Sequence, residues 1–358
     1  MGIDQSGQEN SFVGGDPTSV GVLPRGLDAD DPVASREDGG TLVEEPSTRK
    51  PTFPRRSLAC RPGSRWDGRL QMRAGQEKCS TMAAELGAPR EGVFAGGLPY
   101  LALGHGEPLI YLPGGTPNHH NPPPGFQRQL TLRTVRPFAR AGFEVFFTNR
   151  WPGMSIDIPW PEVAAGHATA LAQHYGRPVH VLGHSTGGSI VMQLIADHPQ
   201  VVRTAVVASA AYTLGPVARR AQLTMLRSLE TTGRFAAEEL IDGMVQRRWL
   251  RAALRPPLRM ASRRINVENP TDTMAMIKAE DGFDVHSRLP GIQTETLVIC
   301  GAKDGFWPLE MFAETAYRMP QGRLVMYPEL GHSLVTSPKF VADVVAFLNN
   351  QAGSSRAG

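Results

Sequence analysis

The sequence predicts an α/β chain, a mostly parallel sheet with helices on both faces. Two observations carry that prediction. Short, wholly apolar runs alternate with helix-period segments from about residue 98 onward. One of those runs ends in the turn Gly183-His184-Ser185-Thr186-Gly187-Gly188, which leads directly into an amphipathic helix. A chain of 358 residues has room for one large core or two modest ones.

The elements follow in order. The run LIYL at 109–112 is a buried strand stopped by Pro113-Gly114-Gly115. FEVFFT at 143–148 is announced by Gly142 and closed by Asn149-Arg150. Residues 161–175 have Pro at the first turn and an Ala/Val/Leu stripe, the signature of a helix. A third strand, VHVL at 179–182, precedes the glycine-rich turn, and the helix over 187–198 sets Ile190, Val191, Leu194 and Ile195 on one face. Further strands are read at 201–208, 296–300 and 323–327, with helices at 309–317 and 338–349. Strands apolar on both faces belong in a parallel sheet with both faces covered. The interval 211–295 has helical periodicity and no clear strand, so it is expected to form a cap over the carboxyl ends of the strands.

Residues 1–81 are a different material. Residues 1–48 hold ten acids against Arg25 and Arg36, and residues 49–81 hold nine bases against Asp67 and Glu77. No apolar period persists there, so the segment is expected to be disordered, with 82–358 as the folded domain. No apolar stretch of signal-peptide length follows Met1 or the pair Arg55-Arg56, which leaves a cytoplasmic location as the expectation. Met82 opens a sequence resembling an ordinary domain start. The basic half could also serve as an interaction tail.

Composition excludes several classes. The 37 basic and 34 acidic residues nearly cancel, which calls for neither nucleic acid nor a membrane as partner. No apolar run approaches the roughly 20 residues of a membrane span. The three cysteines, Cys60, Cys79 and Cys300, have no disulfide or zinc spacing, and His119-His120 lacks a third ligand, so no metal is expected.

The chemistry is expected at Ser185. A G-x-S-x-G motif alone is weak, but between a strand and a helix it forms a sharp elbow that projects the serine. The flanking residues Gly183 and Gly187 must approach closely, and Gly188 lets the helix reach the sheet. A serine hydroxyl needs a base, and the base needs an orienting acid. Asp304, in GAKDGFWP, directly follows the strand at 296–300, whereas residues 208–213 contain no carboxylate. His332, in YPELGHS, follows the last strand and is favoured over His286, which belongs to the insertion. The backbone amides of Thr186, at the helix start, and of Gly115, after the first strand, are the candidate oxyanion donors.

The segments LIYLPGG, FEVFFTNRWPGMS, VHVLGHSTGG, LVICGAKDGFWP and MYPELGHS, in that order, resemble the α/β-hydrolase superfamily over about residues 98–349. The resemblance implies the α/β-hydrolase fold with an eight-stranded sheet, a triad of Ser185, Asp304 and His332, and no cofactor. Two departures stand out. Pro113-Gly114 replaces the family's usual His-Gly, which leaves open what supports the oxyanion loop. Asn149-Arg150-Trp151-Pro152-Gly153 replaces the common Asp-x-Arg-Gly turn.

Within the insertion, Arg247, Arg251, Arg255, Arg259 and Arg263 recur every four residues, opposite Trp249, Leu250 and Leu254. Pro256-Pro257 is expected to break this helix in two. The arginine stripe reads as a solvated face or as a basic rim attracting an anionic acyl donor; a membrane-surface role is disfavoured because the apolar face looks short. Met225, Met244, Met260, Met274 and Met276 are expected in the cap core. The sequence thus predicts a soluble serine hydrolase with a helical cap, acting on a small-molecule acyl substrate and most simply a carboxylic ester. Alternatives are C–C, amide or thioester hydrolysis, acyl transfer or perhydrolysis on the same triad, or a binding protein with an idle triad.

Overall fold

Eight strands form one sheet in the order β1-β2-β4-β3-β5-β6-β7-β8. They are β1 (Arg90–Phe94), β2 (Leu98–Leu103), β3 (Glu107–Leu112), β4 (Phe143–Thr148), β5 (Val179–His184), β6 (Val202–Ala208), β7 (Thr296–Gly301) and β8 (Gly322–Tyr327). The computed structural model describes residues 86–354 apart from Pro123. The expectation of disorder for residues 1–81 lies outside the described residues.

From β3 to β8 all pairings are parallel, whereas β1 pairs with β2, and β2 with β4, antiparallel. The sequence reading found the six parallel strands and missed β1 and β2. Their patterns explain why: β1 is exposed over its first residues, and β2 contains Pro99, which weakens a strand signal. Pro99 stands opposite Val93 of the edge strand.

Alternation along the parallel strands splits the core into two layers. Ile110, Val181, Val207 and Val298 join one cluster with α2 (Trp160–Tyr175), α3 (Thr186–Asp197) and α8 (Leu309–Arg318). Leu109, Leu182, Val206 and Leu297 join the other with α1 (Phe126–Arg140) and α9 (Pro338–Ser354). Helix α1 was not anticipated; it carries Pro137 near its end, and Gly125 rather than a side-chain cap precedes it.

The cap expected over 211–295 is present as a helical insertion between β6 and β7. It contains α4 (Pro216–Thr232), the 3₁₀ turn Ala237–Leu240, the short α5 (Ile241–Met244), α6 (Arg248–Ser262) and α7 (Pro270–Asp281). Its two ends meet at an antiparallel bridge between Thr213 and Asp284, so the insertion leaves and re-enters the sheet at one point. Met225, Leu229, Phe235, Ala236 and Ile277 form a small core of its own.

Three expectations for the cap are corrected. Helix α6 runs unbroken through Pro256 and Pro257. The carbonyls that would lose their helical partners belong to Ala252 and Ala253, both exposed, where water can donate in place of the missing N–H groups. The arginine stripe is divided: Arg251 and Arg255 turn inward onto Asp242 and Glu239, whereas Arg247, Arg259 and Arg263 are exposed. Met225 and Met276 are buried in the cap core, but Met244 and Met260 are exposed.

Candidate active site

The turn after β5 meets the steric demand read from the sequence. A Cβ on Gly183 would stand 2.1 Å from the Gly187 carbonyl oxygen, and one on Gly187 would stand 2.1 Å from that of Leu112. Only glycine allows these backbones to meet. A Cβ on Gly188 would lie 2.5 Å from the Ala210 side chain, consistent with close helix–sheet packing. Ser185 itself is held at φ 55°, a conformation rare for a residue with a side chain. Its amide donates to Ala208 O at 2.9 Å, and its carbonyl accepts from Gly188 N at 2.7 Å, so both sides of the elbow are fixed.

The structure brings Ser185, His332 and Asp304 together at the carboxyl ends of β5, β7 and β8. Ser185 Oγ lies 3.1 Å from His332 Nε2, and His332 Nδ1 lies 2.9 Å from Asp304 Oδ2. The other Asp304 oxygen accepts from Phe306 N–H at 2.9 Å. With Nδ1–H donating to a carboxylate whose side chain has no exposed surface, the imidazole presents Nε2 to the hydroxyl as an acceptor. A hydroxyl, an imidazole and a carboxylate in this series can activate the oxygen as a nucleophile and store its proton. The imidazole is clamped from several sides. Trp307 stacks on it at 5.8 Å with 9° between planes, and Phe306 meets it edge-on at 4.5 Å. The His332 carbonyl accepts from Ser209 Oγ and from His184 Nε2–H, each at 3.1 Å. Burial pushes His184 down to about 4, so its ring is neutral and carries its proton on the nitrogen that donates.

Gly114 and Gly115 pass directly over the nucleophile. A Cβ on Gly114 would be 3.3 Å from Ser185 Cβ, and one on Gly115 would be 3.5 Å from Thr186 Oγ1. Both glycines and Thr186 line a cavity of about 150 Å³ that reaches from Ser185 and His332 into the cap, where Met225, Phe235, Met276 and Ile277 close it. Two charged residues also line it. Arg150 is fully buried, and its Nη1 donates to Gly114 O at 3.1 Å and its Nη2 to Thr116 Oγ1 at 2.8 Å. Burial lowers it to about 10, which leaves it a cation at neutral pH. Glu280 of α7 is buried too and accepts from Gln222 at 2.8 Å; burial raises its carboxyl, opposed by Ser189, Gln222, Thr186 and the Arg150 charge.

The sequence reading placed all five site residues in one neighbourhood but missed Arg150, Ser209 and Glu280 as parts of it. Arg150 carried no signal in the sequence, because its role depends on a loop 36 residues away. Ser209 is held at φ 50°, which nothing in its sequence context announces. His119 does not line the cavity: it is buried with Nδ1 donating to Trp151 O at 3.1 Å, while His120 faces Glu268.

A family model described as the alpha/beta hydrolase family matches residues 104–344, more than half of the chain. The chain belongs to that family. Among curated relatives, it is 22% identical over 268 residues to a 2-hydroxy-6-oxononadienedioate/2-hydroxy-6-oxononatrienedioate hydrolase of a Pseudomonas species, covering 68% of this chain and 87% of the relative. It is 31% identical over 179 residues to a protein of Caulobacter sp. (strain K31) named as a proposed carbamate hydrolase, covering 48% of this chain and 66% of that protein. Among solved structures, an esterase from Exiguobacterium antarcticum superposes with a TM-score of 0.54 at 17% identity, over 73% of this chain and 100% of the esterase. The chain is therefore a hydrolase of the α/β-hydrolase fold. Among the described residues no helix is long and apolar enough to cross a membrane.

Proposed function

We propose that the chain is a serine hydrolase that cleaves a carboxylic ester through an acyl-enzyme. The observation that carries this reading is the series Ser185–His332–Asp304, at 3.1 and 2.9 Å, opening into an apolar cavity. Ser185 Oγ attacks the acyl carbonyl carbon while its proton passes to His332 Nε2. The carbonyl oxygen becomes an oxyanion held by the amides of Gly115 and Thr186. His332 returns the proton to the leaving alcohol oxygen as the ester bond breaks. Water, deprotonated by His332, then attacks the acyl-enzyme and releases the acid.

Arg150 supplies the support that the missing histidine leaves open. Gly114 C=O and Gly115 N–H belong to one trans peptide, so they point in opposite directions. Holding Gly114 O with a guanidinium aims the Gly115 N–H away from Arg150 and polarises that peptide. The two sequence departures are therefore a compensating pair, with the turn after β4 bracing the loop after β3.

The test is fluorophosphonate labelling of the purified chain beside Ser185→Ala, with a panel of chromogenic esters. Labelling at Ser185, with ester turnover lost in the variant, is the expected result. No labelling overturns the reading. Labelling without ester turnover moves the assignment to the second reading, C–C or carbamate hydrolysis on the same residues. The named relatives favour that second reading over the remaining alternatives.

A further inference from the structure

Helix α6 is packed inside out. Amphipathic helices of globular proteins turn the apolar stripe to the core and the charged face to water. In α6 only Ser262 is buried. The side facing the cap carries Arg251, 3.7 Å from Asp242, and Arg255, 3.0 Å from Glu239 and 2.8 Å from Asp242. Ser262 fastens the carboxyl end by donating to Glu238 at 2.7 Å. The opposite side faces solvent. Trp249 and Met260 are both 65% exposed, and Leu254, nearer the edge, is 38% exposed. Helical spacing puts Trp249, Ala253, Pro256, Pro257 and Met260 on one stripe, with Leu250 and Leu254 along its edge. From Trp249 to Met260 the stripe is about 17 Å long at 1.5 Å per residue, so it is not the short face inferred from the sequence.

Arginines border this stripe. Arg247, Arg248, Arg259, Arg263 and Arg264 are exposed, and among the described residues none of them has an ion-pair partner. A second copy docking symmetrically would press this arginine border against itself. A surface of anionic amphiphiles satisfies both features at once: the apolar stripe enters the acyl boundary and the arginines meet the head groups. Met244, four residues before the helix and 48% exposed, also lines the cavity over Ser185. A surface that accepts α6 therefore lies near one entrance of the site.

We propose that α6 seats the protein on an anionic lipid surface, with Trp249 and Met260 inserted and the arginines at the head groups. The full-length chain is co-sedimented with phosphatidylcholine vesicles, with and without phosphatidylglycerol, at low and high salt. The expected result is partitioning about tenfold stronger on the anionic vesicles, weakened by salt, and reduced about tenfold in the double variant Trp249→Glu/Met260→Glu at an unchanged melting temperature. Three results overturn the proposal. One is no partitioning of the native chain. Another is anionic binding that the double variant retains, which assigns it to other basic residues such as those at 49–81. The third is a native dimer that the double variant converts to a monomer without vesicle binding, which makes the occupant a second copy.

Discussion

At the carboxyl ends of β5, β7 and β8 each functional side chain is held by something buried, whereas α6 meets the rest of the cap through half-exposed arginines. Asp304 has no exposed side-chain surface and His332 has 5%, while Arg251 and Arg255 keep 29% and 36%. The sheet edge accepts strain at Ser185 and a buried cation at Arg150, and in return its reacting groups are already in place. The cap helix gives up apolar burial and keeps a surface that can meet something else. The sharpest way to break this contrast is Asp304→Asn. A site fixed by that carboxylate loses about 10⁴-fold in kcat, with little change in melting temperature. A small loss would move the orienting acid to the cap, where the buried Glu280 lines the same cavity, and the contrast would fail. Arg150→Met comes next. Loss of the guanidinium behind the Gly114–Gly115 peptide is expected to lower kcat by about 10²–10³-fold at similar KM, in line with loss of one oxyanion donor. Arg150→Lys should recover part of that rate. Steady-state kinetics on the ester that labels best would separate these outcomes from a KM effect.

The same contrast explains what could be read in advance. The elbow was legible because Gly183, Ser185 and Gly187 are constrained by close backbone approach, and sterics of that kind leave a mark in residue type. Asp304 and His332 were legible because each follows an apolar strand directly. The parallel strands β3 to β7 were legible because burial on both faces makes them largely apolar, and the edge strand β8 because Leu324–Tyr327 still forms an apolar run. Strands β1 and β2 were not, because a part-exposed edge strand and a strand with Pro99 give no such run. The bracing by Arg150 was hidden, since it depends on two loops 36 residues apart meeting in space. The inverted packing of α6 was hidden for another reason. Periodicity shows that a helix has two faces, but which one turns inward is decided by partners such as Asp242 and Glu239. The proline pair misled because it was read for a helix interior that needs every hydrogen bond, and α6 lies at the surface.

An intermediate effect belongs to the buried histidines, all on the sheet side. His119, His167 and His180 are buried, and burial is the main cause that pushes them down to about 3, about 4 and about 4. Above pH of about 6.5 these groups are neutral both folded and unfolded. Below it the unfolded chain binds protons that the folded chain refuses until pH falls to about 4. Stability is therefore full above pH of about 6.5 and is lost progressively as the pH falls towards about 4. His167, whose Nδ1 donates to Val163 O at 2.8 Å within α2, is the simplest to remove. In His167→Leu the stability lost between pH 7.5 and 5, read by urea unfolding, should shrink by about 2 kcal/mol. An unchanged loss would mean that the ring is protonated in the folded chain.

The smallest effect is expected from the cap side. Arg255 holds α6 through Glu239 and Asp242, but all three side chains keep between 23% and 36% of their surface in water. Ion pairs with that much solvent are worth about 1 kcal/mol or less. In Arg255→Ala, water can reach both carboxylates, and Ser262 still anchors the helix to Glu238. The variant should lose less than about 1 kcal/mol in urea unfolding and less than about twofold in kcat on a water-soluble ester. Since Arg255 lies on the inward face, away from Trp249 and Met260, vesicle partitioning should also be nearly unchanged. A loss of more than about 2 kcal/mol would show that the arginine side is a true packing face with the energetic weight of a core. In that case α6 would be a structural wall of the cap, and its exposed apolar stripe would be incidental to how the helix is held.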